Sequence, residues 1–100
     1  MYRATTPTHI FKLPFDTGLL KKVQITYQQF GQTILQKTEK DCSLDGAEIK
    51  LQLTQEETLR FQPTAEVFIQ LRVLTNEGKV LASRIERKLP KECLDEEVLV

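Results

Sequence analysis

Alternating apolar and polar residues mark the clearest element of the chain. Every second residue between 67 and 73 is aliphatic, and Gln70 and Arg72 lie between them. This period of two is typical of a strand with one buried face and one solvated face. The turn signal at residues 76–78 separates this strand from a second apolar stretch, which starts at Val80. The two stretches are therefore predicted to form a hairpin.

The same alternation predicts three strands nearer the start of the chain. The first covers residues 8–13 and is bracketed by two prolines, which belong at strand ends or edges. The second covers residues 22–29 and buries Val23, Ile25 and Tyr27. Gly31 then turns the chain into a return strand over residues 33–37.

Two local signals organise the middle of the chain. Asp45-Gly46 suits a two-residue type I′ turn between residues 42–44 and the alternating stretch 47–53. Residues 54–57 then have the form of a capping box, in which Thr54 and Glu57 satisfy each other's backbone amides. Pro63 limits the helix that follows to one or two turns. Ile49, Leu51 and Leu53 share the predicted buried face of the strand before it.

The last predicted strand runs from residue 79 to residue 89, where Pro90 ends it. Strict alternation places Leu81, Ser83, Ile85 and Arg87 on one face of this strand.

Short strands at regular spacing predict the fold class. We expect an all-β protein, an antiparallel immunoglobulin-like β-sandwich of about six to seven strands with one short helical turn. Residues 1–90 should form a single β-sandwich domain, and residues 91–100 an acidic and apolar C-terminal tail.

Composition narrows the classes of partner. The 100 residues are 40% hydrophobic and 28% charged, with a formal net charge of zero. A nucleic-acid-binding protein usually shows a basic excess, so no nucleic-acid partner is expected. No apolar run is long enough for a membrane helix, and the first residues lack a secretory h-region. We therefore expect a reducing compartment and two free thiols, with Cys42 packed and Cys93 exposed.

Side chains that carry chemistry are sparse. His9 is the only histidine, and the two cysteines lie far from it in the sequence, which does not make a zinc signature. The four glycines are scattered singly, so no phosphate-binding loop is predicted. The acidic pair at residues 56–57 suits the start of a helix, where carboxylates interact favourably with the positive end of the helix dipole. We expect no catalytic residues, no metal and no cofactor.

The candidate functional residues are therefore on the surface. Phe68 and Leu74 are out of phase with the buried positions of their strand, so they form either an outward contact patch or part of a second buried face. Ile10 and Lys12 lie on the first strand, whose edge has few residues that would prevent pairing with a strand of another chain. These four residues are the candidate protein interface. They lie on two strands and give two candidate contact surfaces, one of which would be covered in a homo-oligomer or a hetero-assembly.

Several segments carry a family resemblance. They are residues 6–11, 53–58, 69–73, 81–83 and 94–99. Through them nearly the whole chain resembles small proteins encoded in phages and prophages of Gram-positive gut bacteria. It is similar, more loosely, to the β-sandwich N-terminal domain of phage upper-baseplate proteins.

The resemblance implies a role in a virion or in its assembly. The expected function is that of a non-enzymatic structural or accessory protein that contacts other phage structural proteins. The expected locations are the bacterial cytoplasm during expression and the virion. The alternative is a small ligand-binding module, such as a carbohydrate-binding β-sandwich. That alternative calls for exposed aromatic residues on a concave face, and the chain has no tryptophan.

Overall fold

Two antiparallel sheets make up most of the fold, as a computed structural model that describes residues 1–100 shows. The smaller sheet has three strands, in the order β1, β5, β4. These strands are β1 (Thr8–Lys12), β4 (Ser43–Asp45) and β5 (Glu48–Gln52). Both pairings in this sheet are antiparallel.

The larger sheet has five strands. Across the sheet, β3 pairs with β2 and β2 pairs with β6, and both β7 and β8 pair with the other edge of β6. Its strands are β2 (Leu20–Gln29), β3 (Gln32–Thr38), β6 (Val67–Thr75), β7 (Val80–Ala82) and β8 (Glu86–Lys88). One short helix, α1 (Gln55–Thr58), and two 3₁₀ turns complete the chain. The mostly-β, antiparallel prediction with one short helix is confirmed. The strands number eight, and they do not close into a barrel.

The buried faces of the two sheets share one hydrophobic core of 13 residues. The predicted inward residues Val23, Ile25 and Tyr27 are at most 2% exposed. Ile49, Leu51 and Leu53 lie opposite them on the smaller sheet and are at most 1% exposed. The period-two alternation therefore assigned the inward faces of β2 and β5 correctly. This two-layer arrangement is consistent with a β-sandwich.

Helix α1 begins with the predicted capping box. The Glu57 amide donates to Thr54 Oγ1 at 3.1 Å, and the Thr54 amide donates to Glu57 Oε1 at 2.9 Å. Burial alone would raise the pKa of Glu57. Its salt bridge with Lys37 and its bonds with Thr54 outweigh burial and leave that pKa below its ordinary value. The capping box thus holds the buried Glu57 carboxylate, whose charge is neutralised by Lys37 of β3.

The turn at Asp45-Gly46 differs from its prediction by one residue. Asp45 pairs with Glu48, so the two loop residues are Gly46 and Ala47. Only Gly46 has a positive φ, of 57°. A positive φ at the first loop residue alone is the pattern of a type II′ turn, not of type I′. The Asp-Gly signal located the hairpin but misplaced its register.

A type I′ pattern occurs instead at Phe30-Gly31, between β2 and β3. Both residues have positive φ, of 52° and 72°, and the flanking Gln29 and Gln32 pair directly. Asparagine or glycine normally occupies the first position, because a bulky side chain is strained there. Phe30 is nevertheless 71% exposed, so burial does not explain its presence.

Replacing Phe30 with asparagine should stabilise the protein by about 0.5–1 kcal/mol, because asparagine tolerates positive φ. Urea unfolding of the wild type and the variant measures the difference. Gly31→Ala is the matched control and should destabilise, since alanine is disfavoured at a φ of 72°. Equal or lower stability of Phe30→Asn would contradict strain at this turn.

The prediction that Leu81, Ser83, Ile85 and Arg87 share a face is wrong. Leu81 lies opposite the buried Val73, whereas Arg87 lies opposite Phe68 on the outer face. The pairing register shifts by one residue between β7 and β8, which is a β-bulge. Because side chains alternate with a period of two, one extra residue moves the rest of the strand to the opposite face.

The C-terminal tail contacts the rest of the fold at several places. Lys91 forms a β-bridge with Tyr2, and Glu96 forms a salt bridge with Arg3 at 2.6 Å. The side-chain amide of Gln55 then exchanges two hydrogen bonds with the backbone of Leu99, at 2.7 and 2.8 Å. The tail therefore runs along the N-terminal segment and ends beside α1.

Candidate interaction surface

One side of the two-sheet arrangement is open. A groove of about 440 Å³ lies between β1, at the edge of the smaller sheet, and β7, at the edge of the larger one. Its lining is mostly apolar, from Ile10, Phe11, Leu13, Pro14, Phe15, Leu71, Val73, Leu81 and Ala82. Lys12, Arg84 and Glu86 supply its charges. The groove therefore exposes part of the core surface between two strand edges.

The β1 edge of this groove has free backbone groups. Leu13 and Leu53 donate to the carbonyls of Ala47 and Pro7, which fixes the hydrogen-bonding phase of the β1–β5 ladder. In an antiparallel ladder that phase alternates. The N–H and C=O groups of Ile10 and Lys12 therefore point away from β5, towards the open side. Such an edge can accept another strand.

The bulge interrupts the opposite edge of the groove. The Leu71 amide donates to Ser83 Oγ at 3.0 Å, where a backbone carbonyl would accept in a regular ladder. The Ser83 carbonyl instead accepts from the Gln70 side chain at 3.0 Å. Bulges of this kind disfavour continued pairing at a sheet edge. Of the two edges, β1 is therefore the better acceptor for an added strand.

Charged side chains occupy the inner face of β8. Glu86 and Lys88 lie opposite the buried Ile69 and Val67, so both project towards the space between the sheets. Inward-pointing charges are one way in which proteins keep a sheet edge from pairing. The open side therefore has an apolar half beside β7 and a charged half beside β8.

A polar contact joins the two sheets next to the charged half. His9 Nδ1 of β1 lies 2.6 Å from the Tyr27 hydroxyl of β2, and Phe61 packs on the Tyr27 ring at 5.9 Å. Burial, with Lys88 and the N-terminal ammonium, lowers the pKa of His9 to about 4. Burial also raises the pKa of Tyr27. The single histidine is therefore a neutral structural residue on the inner face of β1.

The depressed pKa of His9 predicts a loss of stability in acid. The unfolded chain binds a proton near pH 6.5 and the folded chain only near pH 4, so stability falls as the pH drops through this window and levels off below it. We expect a loss of about 1–2 kcal/mol, because the ring is partly exposed.

Urea unfolding near neutral pH and at about pH 4.5 tests this expectation. His9→Gln, which cannot titrate, is the control, and the carboxylates that also titrate in acid are common to both proteins. An equal loss of stability in wild type and variant would contradict the role of His9.

The four predicted interface residues lie on two separate surfaces. Ile10 is 50% exposed, and it lies with Lys12 on the outer face of the smaller sheet. Phe68 and Leu74 are half-buried on the outer face of the larger sheet, six residues apart on β6. Arg87 covers Phe68, with its guanidinium 5.5 Å from the ring centre. What the sequence missed is the groove, because it depends on which strands become edges.

Uncharged polar side chains cover the outer face of the larger sheet. A shallow cavity of about 330 Å³ there is lined by Gln24, Thr26, Gln28, Thr33, Gln36, Phe68, Gln70, Arg72 and Ile85. Gln28 and Gln36 donate to Thr33 and Thr26, at 3.3 and 3.4 Å. Four of these nine residues are glutamines, which can donate and accept hydrogen bonds at once.

Both cysteines are free and half-buried. The expectation that Cys93 is exposed is wrong, because its thiol packs against the N-terminal segment and donates to the Arg3 carbonyl at 3.2 Å. Burial, with the Asp41 and Glu39 carboxylates, raises the pKa of the Cys42 thiol to about 11. No group of three or more His, Cys, Asp or Glu side chains is arranged to hold a metal ion.

Thiol labelling of the native protein at neutral pH should modify Cys93 before Cys42, because the raised pKa leaves Cys42 almost entirely as the unreactive thiol. Mass spectrometry of peptides after timed labelling measures the two rates. Labelling in denaturant, where both thiols should react alike, is the control. Faster labelling of Cys42 in the native protein would contradict its assigned environment.

No protein-family model, curated protein or solved structure shows significant similarity to this chain. None of its helices has the length and apolar character needed to cross a membrane. The chain's own surface is therefore the basis for a functional proposal.

Proposed function

We propose that this protein is a non-enzymatic structural or accessory component of a phage or prophage, and that it acts by protein–protein contact. Its fold is an immunoglobulin-like β-sandwich with one open side. The observation that supports this function is the apolar groove of about 440 Å³ beside a strand edge with free backbone groups. The resemblance to phage and prophage proteins supports the biological setting.

The mechanism is strand addition. An extended segment of another phage structural protein pairs with the free N–H and C=O groups of Ile10 and Lys12. Every second side chain of that segment then enters the groove, where Leu71, Val73 and Leu81 form an apolar floor. Backbone pairing supplies affinity, and the side chains in the groove supply specificity.

Ile10→Pro tests this mechanism. Because the Ile10 N–H points away from β5, proline removes no bond of the existing ladder, and an outward-facing edge position tolerates it. The variant should stay folded and lose capture of proteins encoded in the same prophage. Ile10→Thr, which keeps the N–H and removes the aliphatic side chain, is the matched control and should retain capture.

Two results would contradict the proposal. Partner capture that survives Ile10→Pro would exclude strand addition at β1. Failure of the wild-type protein to bind any phage structural protein from the same genome would exclude the function itself.

The alternative function, glycan binding, is favoured by the glutamine and threonine side chains on the outer face of the larger sheet. Side-chain amides of this kind pair with sugar hydroxyls, and Phe68 supplies one aromatic surface. A glycan array with the wild type and Gln36→Ala tests it. Glycan affinity that Gln36→Ala abolishes, with no protein partner, would replace the first proposal.

A further inference from the structure

Two strips of opposite charge lie on different parts of the surface. The first is the basic strip, residues 79–91, which contains β7 and β8. It has five basic side chains and one acidic side chain, a formal charge of +4. The second is the acidic strip, residues 92–100, which has four acidic side chains and no basic one, a formal charge of −4. The neutral chain is thus strongly polarised near its C-terminal end.

Both strips also expose apolar side chains. In the basic strip, Val80 is 58% exposed, Leu81 43% and Ile85 57%. In the acidic strip, Leu94 is fully exposed and Leu99 is 79% exposed. Exposed apolar residues that lie together and are rimmed by polar or charged residues are typical of a contact surface.

Most charges of the two strips have no partner within the chain. Among the acidic residues only Glu96 forms a salt bridge, with Arg3, so Asp95 and Glu97 are unpaired. Lys79 and Arg84 in the basic strip form no salt bridge either, and both are exposed. The acidic strip cannot fold back onto β7 of its own chain while Glu96 holds Arg3 and Gln55 holds Leu99.

We propose that the acidic strip of one copy docks on the basic strip of a second copy. The inference deepens the proposed function, on which it rests, by naming one protein partner. Asp95 and Glu97 face Arg84 and Lys79 of the other copy, and the exposed leucines pack beside Val80 and Ile85. The strips have equal and opposite formal charge, so an acidic strip docked on a basic strip neutralises it.

The size of the contact favours reciprocal docking. A stable interface involves about 20–30 residues a side, more than one strip of nine residues supplies. If each copy offers both strips, two contacts form at once and close a two-fold dimer. The expected species has twice the 11.6 kDa mass of the chain.

Charge reversal with the full chain tests the proposal. Asp95→Lys/Glu97→Lys and Lys79→Glu/Arg84→Glu should each weaken association by about tenfold or more in analytical ultracentrifugation. An equimolar mixture of the two variants should associate again, because both contacts of the mixed dimer then bring opposite charges together. Lys21→Glu/Lys40→Glu makes the same change of charge at exposed positions outside both strips and should leave association unchanged.

The salt dependence of self-association is an independent test of the proposal. Association of the wild type should weaken as NaCl rises from about 0.05 to 0.5 M, because exposed charges are screened. Thermal unfolding of each variant checks that the fold is intact.

Three results would overturn the inference. These are a strict monomer at all concentrations, association that both strip reversals leave unchanged, and association that salt strengthens. None of them bears on capture of other phage proteins through β1, so failure here is distinguishable from failure of the proposed function.

Discussion

Leu51→Ala should lower the free energy of unfolding by about 2–5 kcal/mol, as expected when a fully buried leucine leaves a cavity. Leu51 is 1% exposed on β5, and its side chain lies in the core shared by both sheets. The cavity is hard to close, because the surrounding residues belong to strands that backbone ladders hold on both sheets. Urea unfolding of the purified protein measures the change.

Leu44→Ala is the matched control for this measurement. Leu44 lies on β4, next to β5 in the same sheet, and is 41% exposed. The same truncation should there change the free energy of unfolding by less than about 1 kcal/mol. A loss below about 1 kcal/mol for Leu51→Ala, or equal losses for the two variants, would show that the inward face of β5 is misassigned.

Gln29→Met should be destabilising by about 2–4 kcal/mol, although methionine has nearly the same size. Gln29 is 1% exposed at the end of β2. Its side chain donates to the carbonyls of Gln62 and Ala65, both at 2.9 Å, and accepts from the Gln62 amide at 2.8 Å. Methionine makes none of these bonds, so three backbone groups lose their partner.

The neighbouring glutamine supplies the control for Gln29. The Gln28 side chain is exposed on the outer face and makes one bond, to Thr33 at 3.3 Å. Gln28→Met should change stability by less than about 0.5 kcal/mol. If Gln29→Met is equally mild in denaturant unfolding, the loop at residues 62–65 does not depend on Gln29 for its position.

Leu51 and Gln29 differ in how far the sequence reveals their roles. Leu51 belongs to an unbroken alternation, so its burial is predictable from the pattern alone. Gln29 continues the inward phase of Val23, Ile25 and Tyr27, yet a glutamine gives no reason to expect burial. Its place in the core depends on a loop more than thirty residues away in the chain, which no local pattern describes.

Surface features also divide into those that the sequence reveals and those that it does not. Alternation identified Phe68 and Leu74 as out of phase with the core, and the structure places both on the outer face of β6. The groove could not be predicted, because it exists only where the edges of β1 and β7 border the same open side. The alternation also did not reveal the bulge at Ser83. One extra residue there turns Ile85 and Arg87 to the opposite face of the sheet, and nothing in the order of apolar and polar residues marks its position.

The sequence by itself determined the strands as far as β6, their inward faces on β2, β5 and β6, the capping box at Thr54 and the short helix after it. These depend on residues within a few positions of each other, whose side chains follow the period of the local backbone. Only the tertiary structure decided which strands pair beyond the predicted hairpins, that β1 joins β5 and leaves one edge free, and that His9 and Gln29 point inward. These features depend on contacts between distant segments, whose partners are set by the packing of the whole core and not by any local repeat.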